Sequence, residues 1–237
     1  MNTIKGIFAA AAIVAAAGLS APAFSQTKQA APLSAEAKAK SDAEVDNKAA
    51  EWVSSLNLND AAKEARLKKV IATHLKAVRD WHNSHSAADV PPGINLASGN
   101  KLSDLERQVI ADSAIPKTVH QDLMTGLRAD LSEQQVEEIL DKYTIGKVAF
   151  TMKAYKEIVP NMTAQEEETI LKNLKQAREQ AVDFKNMTQI SAIFEIYKTK
   201  NEQFLNANGR SWKQMYKDYT AALKAKKAAA AAAEKKN

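Results

Sequence analysis

One pattern recurs where apolar runs begin in this chain: an apolar residue, then Ser or Thr, then Glu or Gln three positions further on. Leu102-Ser103 with Glu106, Leu131-Ser132 with Gln135 and Met162-Thr163 with Glu166 carry it in full, and Met187-Thr188 with Ser191 is a weaker fourth copy. Such a segment starts a helix. The hydroxyl accepts one of the orphan N–H groups of the first turn, the Glu or Gln returns to the cap backbone, and the apolar residue before the cap can staple back onto the helix, as Leu131 does with Val136. The stops are as explicit. Pro116 suits a helix start, Gly146 interrupts, Pro160 ends a run and Asn208-Gly209 closes another. With seven Gly, six Pro and no sustained apolar–polar alternation, sheet is excluded. The fold class is all-α, an irregular antiparallel bundle of about seven or eight helices.

Periodicity sets the elements. A first helix is expected near Glu44 to Leu56. A second, capped by Asn59 or Asp60, runs to about Asn83 with a stripe of Leu67, Val70, Ile71, His74, Val78 and Trp81. Ser86 to Lys101 contains Pro91-Pro92-Gly93 and Gly99 and is expected as a long loop, of the kind that carries function or moves. The longest pair spans about Ala164–Lys185 and Thr188–Asn206. Their stripes are Ile170, Leu174, Ala177, Ala181, Phe184 and Ile190, Phe194, Tyr197, Asn201, Phe204, and they should fold back as a hairpin. Ser211-Trp212 opens a last helix through Met215, Tyr219 and Leu223.

Both ends differ from the middle. Met1 to Lys5 carries one charge, and Ile7 to Leu19 is an uncharged run of Ala, Ile, Val and Phe followed by small residues. At about 1.5 Å per residue that run spans roughly 20 Å, short of a bilayer core of about 30 Å. A charged start, short apolar run and small-residue exit are the marks of a cleavable export signal. Residues 1–25 are therefore expected to be removed after Ser25. Residues 26–43 read as a flexible tether, 44–223 as a single helical domain and 224–237 as a Lys/Ala-rich tail. No later run is long enough to span a membrane. Zero Cys removes disulfides and thiolate chemistry together. The net charge of +5 belongs to the ends: between Gln26 and Leu223 there are 27 basic and 27 acidic residues, so the body has no field to attract nucleic acid.

Candidates for chemistry are few. Asp80, His82, His85 and Asp89 cluster near the end of the second helix. If His82 and His85 share a helix face, two imidazoles and a carboxylate could hold a divalent metal. The plain structural reading is a polar helix end where the dipole favours His, so no metal and no cofactor are expected. His74 lies on the apolar stripe and reads as a satisfied core residue; His120 stands alone. His-Glu-x-x-His, Gly-x-Ser-x-Gly and a Gly-rich phosphate loop are all absent from the sequence. Trp52, Trp81 and Trp212, with Tyr216 and Tyr219, offer flat rings of the kind that stack on sugars. Of these, Trp81, Trp212 and Tyr216 are the candidate ligand contacts, and core packing is the competing role.

The pieces THLKAVRDWHNSH, DKYTIGKVAFTMKAYKEIVP and LKNLKQAREQAVDFKNMTQISAIFEIYKTKNEQFLNANGRSW, between His74 and Tyr219, resemble a family of exported helical proteins of unknown function from Gram-negative gut anaerobes, whose members are often encoded near polysaccharide-utilisation genes. The resemblance implies an extracytoplasmic setting and a glycan context, and brings no catalytic residues. Leu131-Ser132-Glu133-Gln134-Gln135 also resembles the Leu-Thr-x-x-Gln motif of small periplasmic chaperones. The leading expectation is a non-catalytic binding or accessory protein of the periplasm or cell surface, with a glycan or an envelope protein as partner. The alternatives are a metal-dependent hydrolase or lyase using His82, His85 and Asp89, and a periplasmic helical chaperone.

Overall fold

The computed structural model describes residues 34–96 and 98–234; the expected export signal, the first part of the tether and the last three residues lie outside the described residues. Among the described residues there are nine α-helices, one more than the upper expectation: α1 (Ala35–Ser54), α2 (Ala61–Ser84), α3 (Asp104–Asp112), α4 (Lys117–Asp130), α5 (Glu133–Thr144), α6 (Lys147–Ile158), α7 (Ala164–Ala181), α8 (Met187–Ala207) and α9 (Trp212–Glu234). A short 3-10 turn covers Ala87–Asp89, and a lone bridge joins Ile94 to Lys101. No described helix is long and apolar enough to cross a membrane.

The three full capping boxes form. Ser103, Ser132 and Thr163 accept from the backbone N–H of Glu106, Gln135 and Glu166, and those side chains return to the cap N–H. In Leu131-Ser132-Glu133-Gln134-Gln135 the cap therefore accounts for both Ser132 and Gln135. The fourth start is corrected. Asn186 caps α8 by accepting from Gln189 N at 3.1 Å, so the helix begins at Met187 rather than after Thr188. Asp60 caps α2, accepting from Lys63 N at 2.9 Å. The first helix is longer than expected. Ser34 caps it, and residues 35–43, read as tether, are helical because Arg79 of α2 reaches Asp42 at 2.6 Å and Ser41 at 2.9 Å. At the other end α9 extends through Ala- and Lys-rich sequence, good helix formers that need no partner to favour the helix.

The helices enclose two cores. One gathers α1, α2, α4 and α5 around Leu67, Ile71, Leu123, Leu127 and Ile139, all fully buried or nearly so. The other gathers α3, α6, α7 and α8 around Tyr155, Ile170, Leu174, Ile193 and Phe194, with Trp212 and Met215 of α9 packed against it. α7 and α8 form the expected hairpin: Asn173 donates to Asn201 at 2.7 Å and Lys200 to Gln176 at 3.4 Å, pairings that run in opposite directions along the two helices. α7 ends at Ala181, four residues short of the expected Lys185, and Val182 to Asn186 becomes a link. That link lies along the seam between the two cores, since Val182 belongs to the first and Phe184 to the second.

α2 and α4 cross closely at Gly126. A Cβ there would meet Val70 Cγ2 at 2.6 Å and Cγ1 at 2.8 Å. Replacing Gly in a helix ordinarily gains about 1 kcal/mol of propensity. Overpacking costs about 1–3 kcal/mol, and a Val in a helix is too stiff at χ1 to swing away. Gly126→Ala is expected to lower stability in urea unfolding, and Val70→Ala in the same chain to recover most of the loss.

Candidate functional site

The histidine cluster proposed at the end of α2 does not assemble. His85 is the residue after the helix, with φ −127° and ψ 113°, so helical spacing no longer relates it to His82. Its ring lies flat on Trp81 at 3.7 Å. His82 is taken up by α3, its Nδ1 2.6 Å from Asp112 Oδ2. Asp89 accepts from Ser86 N at 2.6 Å and closes the 3-10 turn, while Asp80 pairs with Arg79 at 2.8 Å. Among the described residues no three His, Asp or Glu side chains are grouped to hold a metal ion. The 86–101 loop is pinned by Gln108, which accepts from Ala87 N and donates to His85 O, both at 2.8 Å, and by Arg107, which donates to Val90 O.

The candidate aromatics divide between packing and exposure. Trp81 donates its indole N–H to Ala111 O at 3.1 Å. Trp52 stands edge-on to Tyr143 at 4.8 Å. Trp212 is half-buried between Tyr155 and Tyr216, and Tyr216 is 50% exposed. Tyr219 donates to Glu157 at 2.8 Å.

The strongest polar constellation lies instead at the seam, around Asp183 in the α7–α8 link. Its Oδ1 is 3.0 Å from His74 Nε2 and its Oδ2 is 2.9 Å from His120 Nδ1. A carboxylate only accepts, so His74 carries a proton on Nε2 and His120 on Nδ1. One acid thus ties α2 to α4 through two imidazoles. His74, on the core stripe as expected, is buried to 1% side-chain exposure, with Tyr143 edge-on at 5.4 Å. His120, which the sequence left isolated, is the outer member at 27% exposure, and its Nε2 is 3.7 Å from Glu179 Oε1.

The electrostatics follow from this chain. The hydrogen bond to Asp183 raises the His120 pKa above its ordinary 6.5, against a counteracting burial and with further help from the charges of Asp183 and Glu179. Burial pushes Asp183 up, but hydrogen bonds from His120 and His74 outweigh it and hold the carboxyl below 3.8. Burial, and then the Asp183 charge, push the Tyr143 phenol well above 10.

His120 and Asp183 open onto a cleft of about 580 Å³, whose other walls are Gln176, Glu179 and Gln180 of α7 and Tyr197 of α8. The α7 residues and Asp183 fall at intervals of three, one and three, one face of a helix. That polar stripe is offset from the apolar one through Leu174, Ala177 and Ala181, and it was the signal in the sequence that could have found the site. A smaller, largely apolar cleft of about 230 Å³ lies between α2 and α4, with His74 in its wall beside Val70, Val119 and Leu123.

The fold and this geometry define an all-α domain with a polar cleft at the seam of two cores, floored by a His–Asp–His bridge. A family model described as "Protein of unknown function (DUF3826)" matches residues 42–225. The chain belongs to that family. No curated protein matches it.

Proposed function

We propose that the chain is an exported binding or accessory protein of the periplasm or cell surface that holds a polyhydroxylated, glycan-type ligand in the cleft between α4, α7 and α8. The observation that carries this reading is the chemistry of the lining. Two carboxylates accept, two amides both donate and accept, His120 offers an N–H and Tyr197 a ring. Sugar hydroxyls donate and accept in the same way. With Glu179 and Asp183 beside one imidazole, the lining has no surplus positive charge to select an anion. The export part of the reading rests on the signal pattern of residues 1–25, and the glycan context is supported by the resemblance described above.

Calorimetry with a panel of mono- and oligosaccharides tests it. Binding is expected to weaken at least tenfold in Gln176→Ala/Gln180→Ala and in Tyr197→Ala, and to persist in Trp212→Ala/Tyr216→Ala. Absence of binding to any saccharide, or loss confined to the Trp212/Tyr216 variant, would overturn the reading.

A further inference from the structure

The two groups at the mouth of the bridge suggest more than binding. His120 Nε2 and Glu179 Oε1 are a nitrogen acid and an oxygen base 3.7 Å apart, both partly exposed and both in the wall of the same cleft. Their identities are fixed from behind. Asp183 accepts the hydrogen bond from Nδ1–H, so the ring presents Nε2 to the cleft, and Asp183 is held in turn by the buried His74. An Asp that orients an imidazole and stabilises its cationic form is the arrangement acid–base catalysts use. Here the imidazolium faces a carboxylate rather than a nucleophile, so the pair can give one proton and take another at neighbouring atoms.

We infer that the cleft catalyses anomer exchange of a reducing sugar, with His120 as general acid and Glu179 as general base. In a cyclic hemiacetal the ring oxygen and the anomeric hydroxyl sit on one carbon, within reach of two groups this close. Glu179 takes the hydroxyl proton as the C–O double bond forms. The bond from the anomeric carbon to the ring oxygen breaks, and His120 Nε2–H protonates the departing oxygen. The open-chain aldehyde rotates. The hydroxyl formed from the former ring oxygen then re-adds to the other face of the aldehyde, returning its proton to His120 while Glu179 returns its proton to the carbonyl oxygen. Every atom and charge is restored, and no oxidant, metal or cofactor takes part. Asp183 and His74 are positioning residues in this scheme.

The inference rests on the sugar-binding reading, and one experiment separates the two. Freshly dissolved α-D-glucose and α-D-galactose are followed by polarimetry with the full chain, and their binding is measured by calorimetry alongside. The chain is expected to speed equilibration above the buffer rate. Glu179→Gln and His120→Asn should each cut the added rate about 100-fold or more, the scale of one general acid or base, while binding weakens less than tenfold. Glu179 is half-exposed, so its variant should keep the wild-type Tm. Sugar that binds but equilibrates at the buffer rate overturns the inference and leaves the binding role standing. If neither aldose binds, the inference falls whatever the rate. An added rate unchanged by Glu179→Gln also overturns it.

Discussion

Asp183→Ala should cost about 3–5 kcal/mol, the usual loss when one member of a buried ion pair is removed and its partner stranded. Two partners are stranded here. His74 Nε2 would face a protein interior with nothing to accept its proton, and His120 would lose the carboxylate that raises its pKa. For a domain of this size the Tm should fall by on the order of 10 °C. The penalty also has a pH signature. His120 titrates above 6.5 when folded, so its share of the stabilisation is complete below that value and fades as pH rises through the folded pKa. Asp183 titrates below 3.8 when folded, so its share is present above that value and fades as pH falls through the folded pKa. The Tm gap between the natural chain and the variant should therefore be widest from about pH 4 to 6.5 and narrow on both sides. A gap flat from pH 3 to 9 would mean that the bridge is not ionic.

Asp112→Ala should be comparably severe, at about 3 kcal/mol or more, because it leaves three side-chain partners without their acceptor, the buried Gln189 amide among them. Asp112 is 2% exposed and accepts from His82 at 2.6 Å, from Gln108 at 2.9 Å and from the Gln189 amide. These come from α2, α3 and α8, so this second acid also stitches the seam. The two losses should differ in place. Gln108 holds both Ala87 and His85, so Asp112→Ala is expected to speed amide exchange across the 86–101 loop. Asp183→Ala should loosen α4 and the end of α7 instead. Uniform loosening in both variants would contradict two separate polar anchors.

The contrast between these acids and the helices shows what a single sequence exposes. Capping boxes and apolar stripes are local, with both partners within four residues, so Ser103, Ser132, Thr163 and the stripes of α2, α7 and α8 could be read directly. His74 and Asp183 are 109 positions apart, and no period connects them. The early end of α7 moved Asp183 out of the helix into the link, and that was hidden too, because the cap at Asn186 competed with a plausible later one at Thr188. Local reading also misled at His82 and His85. They are close in sequence, but the helix ends between them, and Asp112 from α3 takes the first. The stripe of Gln176, Glu179, Gln180 and Asp183 was visible. What hid its meaning was His120, which supplies the missing wall from another core.

The proposed role puts ligand chemistry at His120 and not at the α2 terminus or the α9 aromatics. Long-range ¹H–¹⁵N spectra of the histidine rings, recorded across pH and with a saccharide that binds, test it most directly. His120 is expected to titrate above 6.5, to keep a proton on Nδ1 and to shift at Nε2 when the saccharide is added, while His82, His85 and the Trp212 indole stay in place. A His120 ring indifferent to a bound saccharide, with movement at Trp212 or His85 instead, would contradict it.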